Sequence, residues 1–186
     1  MIHLLGTAHS AQVWSDAKRN GVSLDADKEM MMKFEKFLEA VARVHEASAI
    51  AEEASEEWVL AHGPGVSSVA KDVSERLGIR HLFCDPNTEE RRAIGLKVGP
   101  EMMDHATKIA VQTGRDFVEV YRQEIRKGFV LREGIWIDRL EKFDPNKAPL
   151  IFVCGADHVD TFGAALESKH TRTSVHCRDW TELLKD

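Results

Sequence analysis

Five short apolar runs recur along the chain, and longer stretches with helical periodicity separate them. The runs are candidate strands: Ile2–Leu5, Ala47–Glu52, His81–Asp85, Leu150–Cys154 and Thr173–Cys177. Short apolar runs that alternate with amphipathic helices are typical of a parallel sheet covered by helices on both faces. The pattern therefore predicts an α/β fold with an open, mostly parallel sheet of about five strands flanked by helices. We expect the strand order 3-2-1-4-5.

The predicted helices have apolar residues at three- and four-residue steps. They cover approximately residues 26–46, 66–77, 101–127 and 129–143. Gly78 and Gly128 follow the second and the third of them and are typical C-terminal stops. No strand is predicted between Glu89 and Phe143. We expect this region to form a helical insertion between the third and fourth strands of a single domain spanning 1–186.

Composition and charge narrow the classes of function. The chain has 186 residues, of which 43% are hydrophobic, so it can bury one sizeable core. A net charge of -6, with Lys and Arg interspersed among Asp and Glu, disfavours nucleic acid as a partner. No apolar run approaches the roughly 20 residues of a membrane span. The opening MIHLLGTAHS lacks the basic region of a signal peptide, and no cysteines form CxxC pairs. We expect a cytoplasmic protein with reduced thiols and no membrane partner.

Two glycine-led turns carry the first chemical signal. Gly6-Thr7-Ala8-His9 and Gly155-Ala156-Asp157-His158 each follow an apolar strand and reach a histidine three residues after the glycine. Glycine allows a sharp exit from the strand and close approach of a ligand to the backbone. In open α/β sheets, ligands bind at the carboxyl edge, especially where the strand order reverses. We therefore expect His9 and His158 to face one crevice.

Acidic residues end two further strands at the same predicted edge. Glu52 ends the second strand, and Asp85 ends the third. A carboxylate at such a position can also cap the next helix or simply be solvated. Glu52 is the better site candidate because Glu53 begins an acidic run, Glu53, Glu56 and Glu57, that is typical of a solvated helix face. Strand alternation leaves the choice between Glu52 and Glu53 open.

A later segment, LREGIWIDRLEKF followed by APLIFVCGADHV, places an Arg132-Glu133 pair and Trp136 before the second glycine-led turn. With the GTAH turn, Glu52 and Asp85-Pro86, this order of motifs resembles the TraB/GumN/TIKI family, related more widely to the ChaN and erythromycin-esterase proteins. The resemblance spans nearly the whole chain. It implies a hydrolase-like site, with metal-dependent proteolysis in some branches and esterase chemistry or haem binding in others. It also implies functional roles for Arg132 and Glu133, which would otherwise be interpreted as an exposed helix pair.

The candidate residues support two versions of a hydrolase. In the first, His9, Glu52 and His158 hold a divalent metal (Zn, Mn or Co) that activates water. Glu133 or Glu52 then removes the proton, and Arg132 stabilises the oxyanion. In the second version, no metal is bound, and one histidine oriented by a glutamate is the general base.

The sequence gives fewer indications of the substrate and the partners than of the site. Asp85 and Trp136 are the candidate substrate-binding residues, and the substrate is expected to be a small molecule or a peptide. A small-ligand or haem-binding protein, with histidine and methionine as axial ligands, is one alternative function. A non-catalytic interaction protein that retains the fold is the other. The Met30-Met31-Met32 run is a candidate contact of a homodimer.

Overall fold

The computed structural model describes residues 1–8, 11–12, 24–63, 66–143 and 148–184. The strands in this part of the chain are β1 (Ile2–Thr7), β2 (Ala49–Glu52), β3 (Arg80–Phe83), β4 (Leu150–Gly155) and β5 (Thr173–Cys177). The helices are α1 (Leu24–Val44), α2 (Glu56–Leu60), α3 (Val69–Leu77), α4 (Thr88–Ala93), α5 (Pro100–Thr113), α6 (Phe117–Glu141) and α7 (Val159–Ser168). Short 3₁₀ helices cover Ala156–His158 and Trp180–Leu184. All five predicted strands and the helical insertion between β3 and β4 are confirmed.

The five strands form one parallel sheet in the order β3-β2-β4-β1-β5. The expected order was wrong at its centre, because β4 and not β1 lies beside β2. Both strands are buried at every position, so their apolar runs do not distinguish their places in the sheet. β1 and β4 are nevertheless neighbours, as expected, and Gly6 pairs with Cys154. The two glycine-led turns therefore leave the same edge of the sheet side by side.

Alternate residues of β1, β2 and β4 contribute to two different hydrophobic cores. One face of the sheet, with Leu5, Ile50 and Val153, packs against α1 and α3. The opposite face, with Leu4 and Phe152, packs against α6 and α7. Right-handed crossovers between parallel strands account for this division, since connections running in opposite directions along the sheet lie on opposite faces.

The helical insertion differs in detail from the prediction. The break falls at Gly114, which adopts a left-handed conformation (φ 68°) after α5, and Asp116 then caps α6. Gly128, the predicted stop, lies buried within α6. A Cβ atom at Gly128 would approach the Leu96 side chain at 3.3 Å, so this glycine allows close packing and does not end the helix. As a result, one continuous helix carries Arg132, Glu133 and Trp136.

None of the helices in the described part of the chain combines the length and the apolar character needed to cross a bilayer.

Candidate functional site

The site lies where the connections of the sheet diverge. From β2 the chain proceeds to the edge strand β3, and from the adjacent β4 it proceeds to the opposite edge strand β5. Such a switch point leaves a crevice at the carboxyl ends of the two strands, which is where open α/β sheets bind ligands. Glu53 follows β2 directly, and His158 ends the 3₁₀ turn after β4. Both side chains therefore begin at this crevice.

One face of α6 completes the site. Phe129, Arg132, Glu133 and Trp136 follow the spacing i, i+3, i+4, i+7, which aligns side chains along one side of a helix. Glu133 and Trp136 are buried, at 4% and 0% exposure. The Arg132-Glu133 pair is therefore not the exposed helix pair that its sequence alone would allow.

His158 is held from several directions and is only 2% exposed. Its Nδ1 lies 2.7 Å from Oε1 of Glu133, and the Thr161 hydroxyl donates to the same carboxylate oxygen at 2.6 Å. The rings of Phe129 and Trp136 lie with their centroids 3.8 Å and 4.8 Å from the imidazole centroid. The orientation of the imidazole is therefore fixed by a carboxylate and by aromatic packing.

Arg132 contacts two carboxylates and one imidazole of the site. Its Nε donates to Asp85 at 2.8 Å, and one terminal nitrogen lies 2.6 Å from a Glu53 oxygen. The other terminal nitrogen lies 3.4 Å from Nε2 of His158. Burial opposes the charge of Arg132, but the carboxylates of Glu53 and Asp85 outweigh it and raise its pKa above the ordinary value. The guanidinium is thus a fixed cation at the centre of the site.

Asp85 is buried and is surrounded by donors. Besides Arg132, Arg91 donates to its Oδ2 at 2.5 Å and the Trp136 indole donates to its Oδ1 at 3.1 Å. Arg139 donates to its backbone carbonyl at 2.9 Å. Trp136 is fully buried, and its ring also contacts His158 and lies beneath the guanidinium of Arg132. Asp85 therefore holds the cationic groups of the site in place.

The two adjacent glutamates after β2 point into different surroundings. Glu52 shares the α3 side of the sheet with Ile50 and accepts hydrogen bonds from Ser68 and from His81, the latter at 2.6 Å. Glu53 accepts from the backbone N–H of Gly155 at 2.7 Å, in addition to its pair with Arg132. The structure therefore brings Glu53 to His158 and Arg132. Glu52, the residue favoured by the sequence pattern, lies in a separate buried network.

A cavity of about 300 Å³ opens beside these groups. Four charged residues are part of its lining, Glu53, Asp85, Arg91 and Arg132. A larger depression of about 530 Å³ continues past Asp85 along α2 and α4. The site therefore has a pocket whose lining includes both cationic and anionic side chains.

The first glycine-led turn is described only in part. His9 lies outside the described residues, so its predicted place in the crevice stays a prediction. At Gly6, a Cβ atom would come within 1.8 Å of the backbone oxygen of Arg178. This glycine is therefore required by the close approach of the chain after β5, and no ligand is needed to explain it.

Two of the three predicted metal ligands, Glu52 and His158, lie in the described part of the chain. Glu52 faces Ser68 and His81, away from His158. Nδ1 of His158 is paired with Glu133, and its Nε2 faces the guanidinium of Arg132. Glu52 and His158 therefore lie in separate hydrogen-bond networks. Because His9 lies outside the described residues, the predicted metal site stays a prediction.

A second group of ionisable side chains lies near the amino end of β1. Nδ1 of His3 lies 3.0 Å from Nε2 of His176 on β5, and the ring of His45, just after α1, stacks on His3 at 4.1 Å. Burial and the two neighbouring imidazoles lower the pKa of His3 to about 4. No short motif predicts this group, because its members are far apart in the chain.

The three cysteines contribute no reactive thiol. Cys84, Cys154 and Cys177 are buried and form no disulfide. Burial raises the pKa of Cys84 to about 12 and that of Cys177 to about 11. Burial likewise raises the pKa of Cys154 well above its ordinary value. A thiol that stays protonated is a poor nucleophile, so histidine and the carboxylates are the reactive groups of the site.

Comparison with known proteins finds no family model, no curated protein and no solved structure that matches this chain. The function must therefore be inferred from the geometry at the carboxyl edge of the sheet.

Proposed function

We propose that the protein is a hydrolase in which His158 activates water for attack on the carbonyl carbon of an ester or peptide bond. The observation that carries this proposal is the buried Glu133–His158 pair, 2.7 Å apart, beside the guanidinium of Arg132. General bases in hydrolases are often imidazoles whose second nitrogen is held by a carboxylate. The pair lies at the switch point of the sheet, the usual ligand site of such folds.

The hydrogen bonds define the role of each imidazole nitrogen. When Nδ1–H donates to Glu133, Nε2 is left as the proton acceptor. Nε2 lies 3.4 Å from Arg132 and 3.5 Å from Glu53, and both of these residues line the 300 Å³ cavity. A water molecule at the inner end of that cavity would transfer its proton to Nε2. Glu133 would then stabilise the imidazolium that forms. As the tetrahedral intermediate collapses, the imidazolium would return this proton to the leaving alkoxide or amine, which breaks the C–O or C–N bond and regenerates the neutral base.

Arg132 supplies the complementary charge. The tetrahedral intermediate of acyl transfer carries an oxyanion, and preorganised cationic donors stabilise it at low cost of reorganisation. Glu53 and Asp85 fix the guanidinium, while its side chain keeps 19% exposure. Arg132 is part of the cavity lining, so the substrate carbonyl oxygen would accept a hydrogen bond from the guanidinium there, which suits a small ester or a short peptide.

Of the two mechanisms that the sequence predicts, this proposal favours the one without a metal. The carboxylate of Glu52 contacts Ser68 and His81 and not His158, which supports the version without a metal. Similarity to the TraB/GumN/TIKI family remains part of the proposal, and the esterase chemistry of its wider relatives suits this arrangement best. No proposed step requires a metal ion.

The test is hydrolysis of defined probes by protein purified without an affinity tag. We expect p-nitrophenyl acetate or butyrate, or a chromogenic anilide, to be hydrolysed in the presence of EDTA. His158→Gln should lower kcat/KM by about 10²- to 10⁴-fold, the usual contribution of a positioned acid-base group. His105→Gln is the matched control, because His105 lies on α5 and pairs only loosely with Glu124, at 3.4 Å.

Two results would contradict the proposal. One is the absence of turnover with every probe at enzyme concentrations that detect weak esterases. The other is turnover that His158→Gln and His105→Gln change equally. Activity that disappears with EDTA and returns with Zn²⁺, Mn²⁺ or Co²⁺ would instead support the metal-assisted version.

A further inference from the structure

Three imidazoles converge on the side of the sheet that α1 covers, away from the candidate active site. His3 belongs to β1, His45 follows the C-terminus of α1, and His176 belongs to the edge strand β5. Each can offer one ring nitrogen, and these three nitrogens all lie within 4.8 Å of one another. The tertiary fold thus brings together three residues that are distant in the chain.

The spacing resembles that of ligands around one metal ion. With a Zn–N bond of about 2.0–2.1 Å, two ligands at the tetrahedral angle lie about 3.3 Å apart. The distance from Nδ1 of His3 to Nε2 of His176 is 3.0 Å. All three ring nitrogens lie within 4.8 Å of one another, so the nitrogen of His45 is the third candidate ligand.

The donor chemistry also fits a metal. Neutral imidazoles are good ligands for Zn, Cu and Ni. The group offers three imidazole nitrogens as ligands.

Solvent exposure increases from His3 through His45 to His176, so an ion can reach the group from the side of His176. His3 is buried, His45 is partly buried and His176 is exposed. A metal site requires such an entry path. Three protein ligands with one side open to solvent also leave a fourth position for water, as in open zinc sites.

We propose that His3, His45 and His176 bind one divalent transition-metal ion of the Zn²⁺ class. The ion would tie the edge strand β5 to β1 and to the end of α1. This site is independent of the proposed hydrolase and does not share a ligand with it.

The experiment measures Zn²⁺ binding to the full chain purified without a tag. Isothermal titration should show that one Zn²⁺ ion binds per chain. Co²⁺ bound at the same site should give the visible absorption bands of a metal with a low coordination number. Loss of an outer-shell partner typically lowers metal affinity about 10- to 100-fold, so loss of a direct ligand should lower it by about 100-fold or more. We therefore expect His176→Ala and His45→Ala each to have at least that effect.

Two control variants make the result specific. His105→Ala removes a surface histidine of α5 and should leave Zn²⁺ affinity unchanged. His158→Ala removes the proposed general base and should leave it unchanged as well. Zn²⁺ should also raise the Tm of the wild-type chain and of His158→Ala, but not that of His176→Ala, because binding to the folded state stabilises it.

The proposal is overturned if the wild-type chain shows no saturable Zn²⁺ binding. It is also overturned if His176→Ala and His45→Ala bind Zn²⁺ as tightly as His105→Ala. Both variants lie at the solvent side of the group, so they test the site without removing the buried His3.

Discussion

Nδ1 of His158 lies 2.7 Å from Oε1 of Glu133, and this bond joins the turn after β4 to the buried face of α6. The same carboxylate oxygen accepts the Thr161 hydroxyl at 2.6 Å. Glu133 is therefore held between the helix and the start of α7, and it holds the imidazole in turn. The orientation of the proposed general base depends on this one carboxylate.

Glu133→Gln should test that dependence. The amide cannot stabilise an imidazolium, and its NH2 group can force the imidazole into the other tautomer. We expect kcat for ester hydrolysis to fall by about 10²- to 10⁴-fold with little change in KM, because positioning of the base is lost. The pH profile of the residual activity should also change. Glu141→Gln, at the exposed end of α6, is the control. A change confined to KM, or an equal effect of both variants, would show that Glu133 does not position the base.

The two adjacent glutamates after β2 should behave differently. Glu53 contacts Arg132, whereas Glu52 contacts Ser68 and His81. Glu53→Gln should therefore reduce turnover, because it loosens the guanidinium beside the cavity. Glu52→Gln should lower stability to urea while the folded protein keeps its kcat, because only a buried structural network changes. Steady-state kinetics and urea unfolding of the two variants measure both effects. The opposite pattern would make Glu52 the site residue.

Arg132 should matter for stability as well as for activity. Removing one partner of a buried ion pair leaves an uncompensated charge and typically costs about 3–5 kcal/mol. Arg132→Met leaves Glu53 and Asp85 without this partner, so we expect a loss of free energy of unfolding in that range. Arg122→Met, on the exposed side of α6, should change it by less than about 0.5 kcal/mol.

A double-mutant cycle can measure the interaction free energy of Arg132 and Asp85 separately from the other effects of each substitution. Arg132→Met combined with Asp85→Asn should destabilise the protein by less than the sum of the single variants, since each variant already breaks the same bond. Urea unfolding gives all three free energies. Strict additivity would mean that the 2.8 Å contact contributes nothing measurable.

The thiols should resist alkylation in the folded protein. The thiolate is the reacting form, and burial raises the pKa of Cys84 to about 12 and that of Cys177 to about 11. Because a raised pKa keeps the proton on the folded form, both thiols stay neutral at pH 8 and titrate only well above it. Mass spectrometry after iodoacetamide treatment should show no labelled cysteine at pH 8, and three after unfolding in urea. Rapid labelling of the folded chain would show that a cysteine is exposed and reactive.

Much of the fold follows from the hydrophobic pattern. Apolar residues dominate β1, β2 and β4, and burial of apolar surface is the dominant driving force of folding. The five strands and the insertion are therefore visible in the chain itself. The order of β1 and β4 is not, because both are equally buried and local burial carries no information about neighbours. The helix break was predicted at Gly128 and lies at Gly114, since a glycine can serve either a turn or close packing.

The Arg132-Glu133 pair and the second glycine-led turn can also be recognised in the sequence. In the structure the two lie together at the carboxyl edge of the sheet. Two features of the protein could be identified only from the tertiary structure. One was the choice of Glu53 over Glu52 as the partner of Arg132, since a single residue step reverses the face on which a side chain lies. The other was the meeting of His3, His45 and His176, which depends on where β5 and the end of α1 pack. Local sequence determines which segments become buried strands and helices through short-range periodicity. Contacts between distant side chains are decided by how those segments pack in space.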